Sequence, residues 1–160
     1  MLQSTATPVI LEPEFLEGLR QIYEEKMVFN QTLGLKLTSV TPEGVTARIT
    51  MKPELVGHFA YNRIHGGVIS AVLDTLGSAA VLATLAAKHM DEAPFKRLER
   101  FAKMGTIDLR IDYLRPGIGA YFDIHAQCLR VGSRVGQARM EFMGPDGSLM
   151  STGAAAYIVS

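Results

Sequence analysis

One stretch constrains this chain more than any other. Between Gly66 and Ala87 (GGVISAVLDTLGSAAVLATLAA) the only formally charged side chain is Asp74. Length and composition predict a helix, apolar on nearly every side. Such a helix is buried all round rather than laid on a surface, so the rest of the chain must supply elements to cover it. A carboxylate set into it is costly unless it is paired or used. In such a place it is a candidate catalytic group. The stretch is also long enough to cross a bilayer. Against that, a mid-span Asp costs about 2.5–3.5 kcal/mol on insertion, and Ser70, Thr75, Gly77, Ser78 and Thr84 interrupt the apolar run. The expectation is a core helix and no membrane partner.

The flanks read as its cover. Glu12 to about Phe29 is an amphipathic helix, with Phe15, Leu16, Leu19, Ile22, Tyr23 and Met27 at helical spacing. Residues 1–11 read as a loose lead-in without the basic start and apolar run of a secretory signal. Strand patterns at Leu33–Val40 and Val45–Met51 flank the turn signal Thr41-Pro42-Glu43-Gly44. Pro53–Arg63 reads as a loop. His89–Lys103 is a charged helical insertion divided by Pro94. Four more strands follow: Thr106–Leu114, Tyr121–Val131, Val135–Met143 and Leu149–Val159. Late consecutive strands on short turns argue for an antiparallel sheet. The expected fold is α+β: one sheet of about six strands wrapped round one long helix. The 160 residues fit a single domain, 1–31 as lead-in and helix and 32–160 as the main body. One sheet cannot cover the helix completely, so a homodimer or homotetramer is expected.

Composition excludes several functions. Acidic and basic residues balance, with a pI near 6.9, which leaves no nucleic-acid footprint. The lone Cys128 allows no internal disulfide and no metal-ligand spacing, so a reducing, cytoplasmic setting and no metal are expected. Neither a G-x-S-x-G elbow nor a phosphate-cradling glycine loop occurs.

Chemistry concentrates at the helix start. Gly66 and Gly67 each cost up to about 1 kcal/mol relative to alanine inside a helix; they make sense if a ligand must approach the backbone there. The first N–H groups of a helix lack internal partners and carry partial positive charge. Aimed at a carbonyl oxygen, they form an oxyanion hole. Asp74 lies seven positions beyond Gly67, on the same face but about 10 Å along the axis. One chain alone therefore separates the carboxylate from its own helix start. A second chain, its helix start facing Asp74, removes the mismatch, so the spacing favours a site shared across a dimer. Burial would raise the carboxyl pKa and make a better base near neutral pH.

Asn62-Arg63-Ile64-His65-Gly66-Gly67, then Val68 to Asp74, resembles the HGG…D signature of hotdog-fold acyl-CoA thioesterases, in the phenylacetyl-CoA (PaaI-type) branch. Met104–Pro116, containing Tyr113-Leu114-Arg115-Pro116, resembles that family's following strand. The resemblance spans about residues 32–159, and the insertion at 89–103 is similar to a bacterial subgroup linked to medium- and long-chain acyl-CoA. It implies a hotdog fold and acyl-CoA as substrate, with no further cofactor. By the same resemblance Asp74 is the general base or nucleophile, and the Gly67 amide polarises the thioester carbonyl. His65 shapes the loop, and Thr106 orients the attacking water. Gly66, Arg115, Pro116 and Arg134 lie towards the CoA. Relatives commonly carry Asn or Gln about six residues before the His; here Phe59 and His58 stand there, and Asn62 is the substitute. Two other functions fit the same residues. One is a hydratase or dehydratase of acyl thioesters using His65 with Asp74. The other is a non-catalytic acyl-CoA binding module.

Overall fold

The computed structural model describes residues 8–160, so the first seven residues of the expected lead-in lie outside it. In chain order come α1 (Pro13–Arg20), α2 (Val28–Leu33), β1 (Lys36–Thr41), β2 (Gly44–Thr50), β3 (Val56–His58), β4 (Arg63–Ile64) and α3 (Gly66–Ala87). There follow α4 (Pro94–Glu99), β5 (Gly105–Tyr113), β6 (Tyr121–Val131), β7 (Val135–Met143) and β8 (Leu149–Ile158). Six strands form one antiparallel sheet in the order β1-β2-β6-β7-β8-β5; β3 and β4 form a small separate hairpin.

The alternation legible in each strand decides which side meets α3. Val45, Ala47 and Ile49 of β2, Phe122 and Ile124 of β6, and Met140 and Phe142 of β7 all point inward and are wholly buried. They pack on Val72, Leu73, Leu76, Ala80 and Leu82 of α3. Each such leucine contributes about 1.5–3 kcal/mol by leaving water. The helix sits close to the sheet because Gly77 lets it: a Cβ there would lie 2.2 Å from the Tyr157 hydroxyl of β8. That hydroxyl donates to the Asp74 carbonyl at 2.8 Å. Burial, then the nearby Asp74 carboxylate, pushes the Tyr157 phenol well above its ordinary value, so it stays a donor.

Three expectations change. The N-terminal helix is not continuous to Phe29. It passes into a π-helical turn over Gln21–Lys26, breaks at Met27 (ψ 91°), and restarts as α2. Long-range bonds account for the break. Tyr23 is fully buried with its hydroxyl 2.9 Å from Ser78 Oγ, and the buried Asn30 donates to the Tyr23 carbonyl at 2.8 Å while accepting from Thr75. Leu33 consequently ends a helix rather than opening a strand, and Gly34 (φ 72°) supplies the left-handed cap.

The insertion at 89–103 packs on the body. Gly18 of α1 approaches so closely that a Cβ would lie 2.3 Å from Leu98. Arg97 is wholly buried. Its guanidinium donates to Glu12 at 2.5 Å, sits 2.8 Å from Met90 Sδ, and lies 5.2 Å from the Phe15 ring centre. The segment is a clasp across α1 and the far end of α3.

Nor is α3 buried all round. Its second half is largely enclosed, but Gly67 is exposed and Ser70, Ala71, Asp74 and Ser78 keep partial exposure. Their spacing draws one stripe of small and polar residues along the helix. Beside it, β5 bonds only to β8 and leaves its other edge open. That edge carries Ile107 and Tyr113, both more than half exposed.

Candidate active site

At the N-terminus of α3, β4 delivers the chain through two backbone bonds. Ile64 N–H donates to the Gly117 carbonyl and His65 N–H to the Leu55 carbonyl, at 2.9 and 2.8 Å. His65 then caps the helix: its Nδ1 accepts from the Gly67 N–H at 2.8 Å. The Gly67 amide, expected to polarise a carbonyl, meets the imidazole. The Val68 and Ile69 amides both reach the His65 carbonyl. Among the first-turn donors, the Gly66 N–H is the one left without a partner in the described residues. Tyr113 fixes this glycine by donating its hydroxyl to the Gly66 carbonyl at 2.8 Å.

Asp74 stands on the open stripe of α3, partly exposed rather than enclosed in the core. Thr106, at the start of β5, donates its hydroxyl to Asp74 Oδ1 at 2.8 Å. No cation pairs with Asp74 among the described residues. Its carboxylate therefore keeps Oδ2 and the remaining lone pairs of Oδ1 as acceptors. Eight residues separate Gly66 from Asp74, about 12 Å of helix. A carbonyl in contact with one amide cannot also bring its carbon to a water held by that carboxylate across such a gap.

The other expected residues divide. Arg115 and Pro116 line a hollow of about 340 Å³ with Arg63 and Gly66, at the same end of the molecule as the free amide. Arg63 was missed in the sequence. It packs over the Tyr61 ring, 4.8 Å from its centre, and its Nε is buried without a partner. Arg134 lies at the opposite end of the sheet, where its carbonyl accepts from Val159 N–H. One protomer does not bring Arg115 and Arg134 together. Asn62 is exposed and adopts φ 48°, a left-handed position that Asn tolerates better than most residues. Its side chain makes no hydrogen bond among the described residues.

A long helix gripped by one antiparallel sheet, with a glycine-rich helix start and a lone acid two turns on, defines a hotdog-fold protein. A family model described as the thioesterase superfamily matches residues 61–151. The medium/long-chain acyl-CoA thioesterase YigI of Salmonella typhimurium is 32% identical over 94% of this chain and 97% of its own length. Its Escherichia coli K12 counterpart is 31% identical over the same shares. A crystal structure from Shewanella oneidensis, related to the thioesterase superfamily, superposes with TM-score 0.86 at 35% identity, covering 94% of this chain and 100% of that one. Zebrafish thioesterase superfamily member 2 shares the fold at TM-score 0.72 and 18% identity, covering 94% and 100%. The chain belongs to the thioesterase superfamily and is a thioester hydrolase.

Proposed function

We propose that the protein hydrolyses medium- and long-chain acyl-CoA thioesters at a site shared by two protomers. The observation that carries this is Asp74: a carboxylate on the open stripe of α3, steadied by Thr106 and free of any cation among the described residues. In this reading Asp74 takes a proton from a water that attacks the thioester carbon. The Gly66 N–H of the other protomer holds the developing oxyanion. The C–S bond breaks and CoA leaves as a thiolate, a good enough leaving group to need no cationic acid. Arg63 and Arg115 lie where they can meet CoA phosphates.

The dimer follows from two unpartnered surfaces. An open apolar strand edge such as that of β5 is a template for pairing, and small residues at the α3 stripe allow a second helix to approach. Antiparallel pairing of β5 with its copy brings one helix start towards the other Asp74. The hydratase reading would have to use His65 Nε2, because Nδ1 is committed to the Gly67 amide. No metal or redox group enters the mechanism.

The test is Asp74→Asn assayed by thiol release over acyl-CoAs of increasing length. A lost general base lowers kcat by roughly 10²–10⁴-fold, with circular dichroism and melting unchanged. An Asn variant near the wild-type rate across the panel refutes the mechanism. Tight acyl-CoA binding by the wild type without turnover identifies a binding module instead.

A further inference from the structure

Strand β5 touches both groups assigned to catalysis, and it does so from one face. Thr106 near its start holds the Asp74 carboxylate, and Tyr113 at its end donates to the Gly66 carbonyl. These two residues are seven positions apart. In a regular strand an odd separation sends two side chains to opposite faces. The register removes the conflict. Thr106 pairs with Tyr157 and Asp108 with Ala156, so Ile107 has no partner on β8 and forms a bulge. Beyond it Leu109, Ile111 and Tyr113 pair with Ala155, Gly153 and Ser151. Tyr157, Ala155 and Ser151 are buried, so Thr106 and Tyr113 share the face towards α3. One extra residue thus re-aims a side chain beside the site, as bulges commonly do.

The bond from Tyr113 falls on a residue that needs a tie. Glycine is conformationally the freest residue, and the direction of the Gly66 N–H follows from its two flanking peptide planes. The His65–Gly66 plane is held at its carbonyl, which accepts from the Val68 and Ile69 N–H groups at 2.9 and 3.2 Å. The Gly66–Gly67 plane is held at both polar atoms. Tyr113 Oη donates to its carbonyl at 2.8 Å, and its N–H donates to His65 Nδ1 at 2.8 Å. Hydroxyl, peptide and imidazole form one chain of hydrogen bonds, in which each bond polarises the next. The ring also closes the space on that side: a Cβ on Gly66 would lie 3.3 Å from Tyr113 Cε1.

We infer that Tyr113 is a positioning residue for the oxyanion amide, acting through the Gly66 peptide and not on the substrate. This rests on the shared site proposed above and adds a division of labour to it. Within one protomer Thr106 steadies the acid of one site, while Tyr113 aligns the amide of the other. Each β5 therefore serves both sites of the dimer. Loss of the hydroxyl leaves the amide in place but lets it swing, and hydrogen bonds weaken steeply as they bend. The expected loss is roughly tenfold in kcat, below the 10²–10³-fold cost of deleting an oxyanion donor outright.

Tyr113→Phe keeps the ring and removes only the hydroxyl. With octanoyl-CoA its kcat falls about tenfold, while KM and melting temperature stay at the wild-type values. A wild-type kcat overturns the inference. So does a rise in KM alone, which makes Tyr113 a substrate contact. Mixing separates positioning from general damage. Tyr113→Phe chains and Asp74→Asn chains are unfolded together, refolded and assayed. In each mixed dimer one site joins the Asp74 of the first chain to a Gly66 whose own Tyr113 is intact. Activity recovers to about a quarter of wild type, against about a twentieth for the two proteins blended without exchange. No recovery, when Asp74→Asn and Gly66→Pro chains do recover on mixing, ties the effect of Tyr113 to its own chain's Asp74 and overturns the inference alone. If neither mixture recovers, the shared site fails and the inference falls with it.

Discussion

Arg97 and Glu12 form an asymmetric pair, and the asymmetry sets a measurable order of stabilities. Arg97 is fully buried, whereas the Glu12 side chain is 34% exposed. Removing the charge of Glu12 by Glu12→Gln strands a guanidinium in the interior, next to a Nε that already lacks a partner. Breaking a buried pair in this way costs roughly 3–5 kcal/mol. The low end, about 3 kcal/mol, fits here because water reaches the Glu12 end of the pair. Arg97→Met is different. It keeps an unbranched stem against Phe15 and Met90 and removes the desolvated charge, while Glu12 swings into solvent. Replacing a buried ion with an apolar group of similar shape is often neutral or stabilising. Arg97→Ala keeps neither charge nor packing and costs about 2–4 kcal/mol through the cavity it leaves. Urea unfolding at one fixed protein concentration reads all three, since association also contributes to stability. The expected order of midpoints is wild type about equal to Arg97→Met, then Arg97→Ala and Glu12→Gln well below. If Arg97→Met is the most damaging of the three, the pair is a net stabiliser and the reasoning fails.

Asn62 gives a test of backbone against side chain. Asn62→Gly keeps both stability and hydrolysis, whereas Asn62→Ala loses about 1 kcal/mol to the left-handed φ. A large fall in kcat for the Gly variant at unchanged melting temperature would restore a chemical role to the amide. The Arg48 fork on Asp123 (2.7 and 2.9 Å) holds that carboxyl below the usual carboxylate range. A depressed folded pKa contributes stability above the unfolded value and loses it as pH falls through the folded one. Arg48→Ala therefore raises the Asp123 midpoint, read by carboxyl NMR, and narrows the stability gap from wild type only on the acid side. An unmoved midpoint contradicts the assignment.

The sheet was legible because each of its strands alternates and ends on a turn signal. Ile107, Leu109 and Ile111 against Asp108, Arg110 and Asp112 show it well, although a bulge between Thr106 and Asp108 places Ile107 outward. The break at Met27 was not legible, since it depends on Tyr23 reaching Ser78 and Asn30 reaching Thr75 across the fold. Arg97 looked like one more charge in a charged segment; no local pattern marks a single arginine for burial. At the site, Asp74, Thr106 and the glycine start stood out, and the structure joins the first two directly. The choice between Gly66 and Gly67 turned on the His65 ring. Histidine two residues before an amide at a helix start is a capping signal that could have been read. The open stripe was also present in the sequence, as small residues at positions 67, 70, 71, 74 and 78 within an otherwise bulky apolar run.

The central claim is that one protomer supplies the carboxylate and the other the amide. Gly66 sits at the first helical position, where proline is accommodated, and His65 already has the extended backbone that precedes a proline. Gly66→Pro thus deletes the N–H, while its added Cβ, 3.3 Å from the Tyr113 ring, asks that ring to shift by a few tenths of an ångström. Asp74→Asn and Gly66→Pro proteins, each nearly inactive alone, are unfolded together, refolded as a mixture and assayed. A shared site predicts recovery to about a quarter of wild-type activity, as half the dimers are mixed and one of their two sites is intact. A mixture no more active than its separate components places both groups on the same chain and contradicts the account.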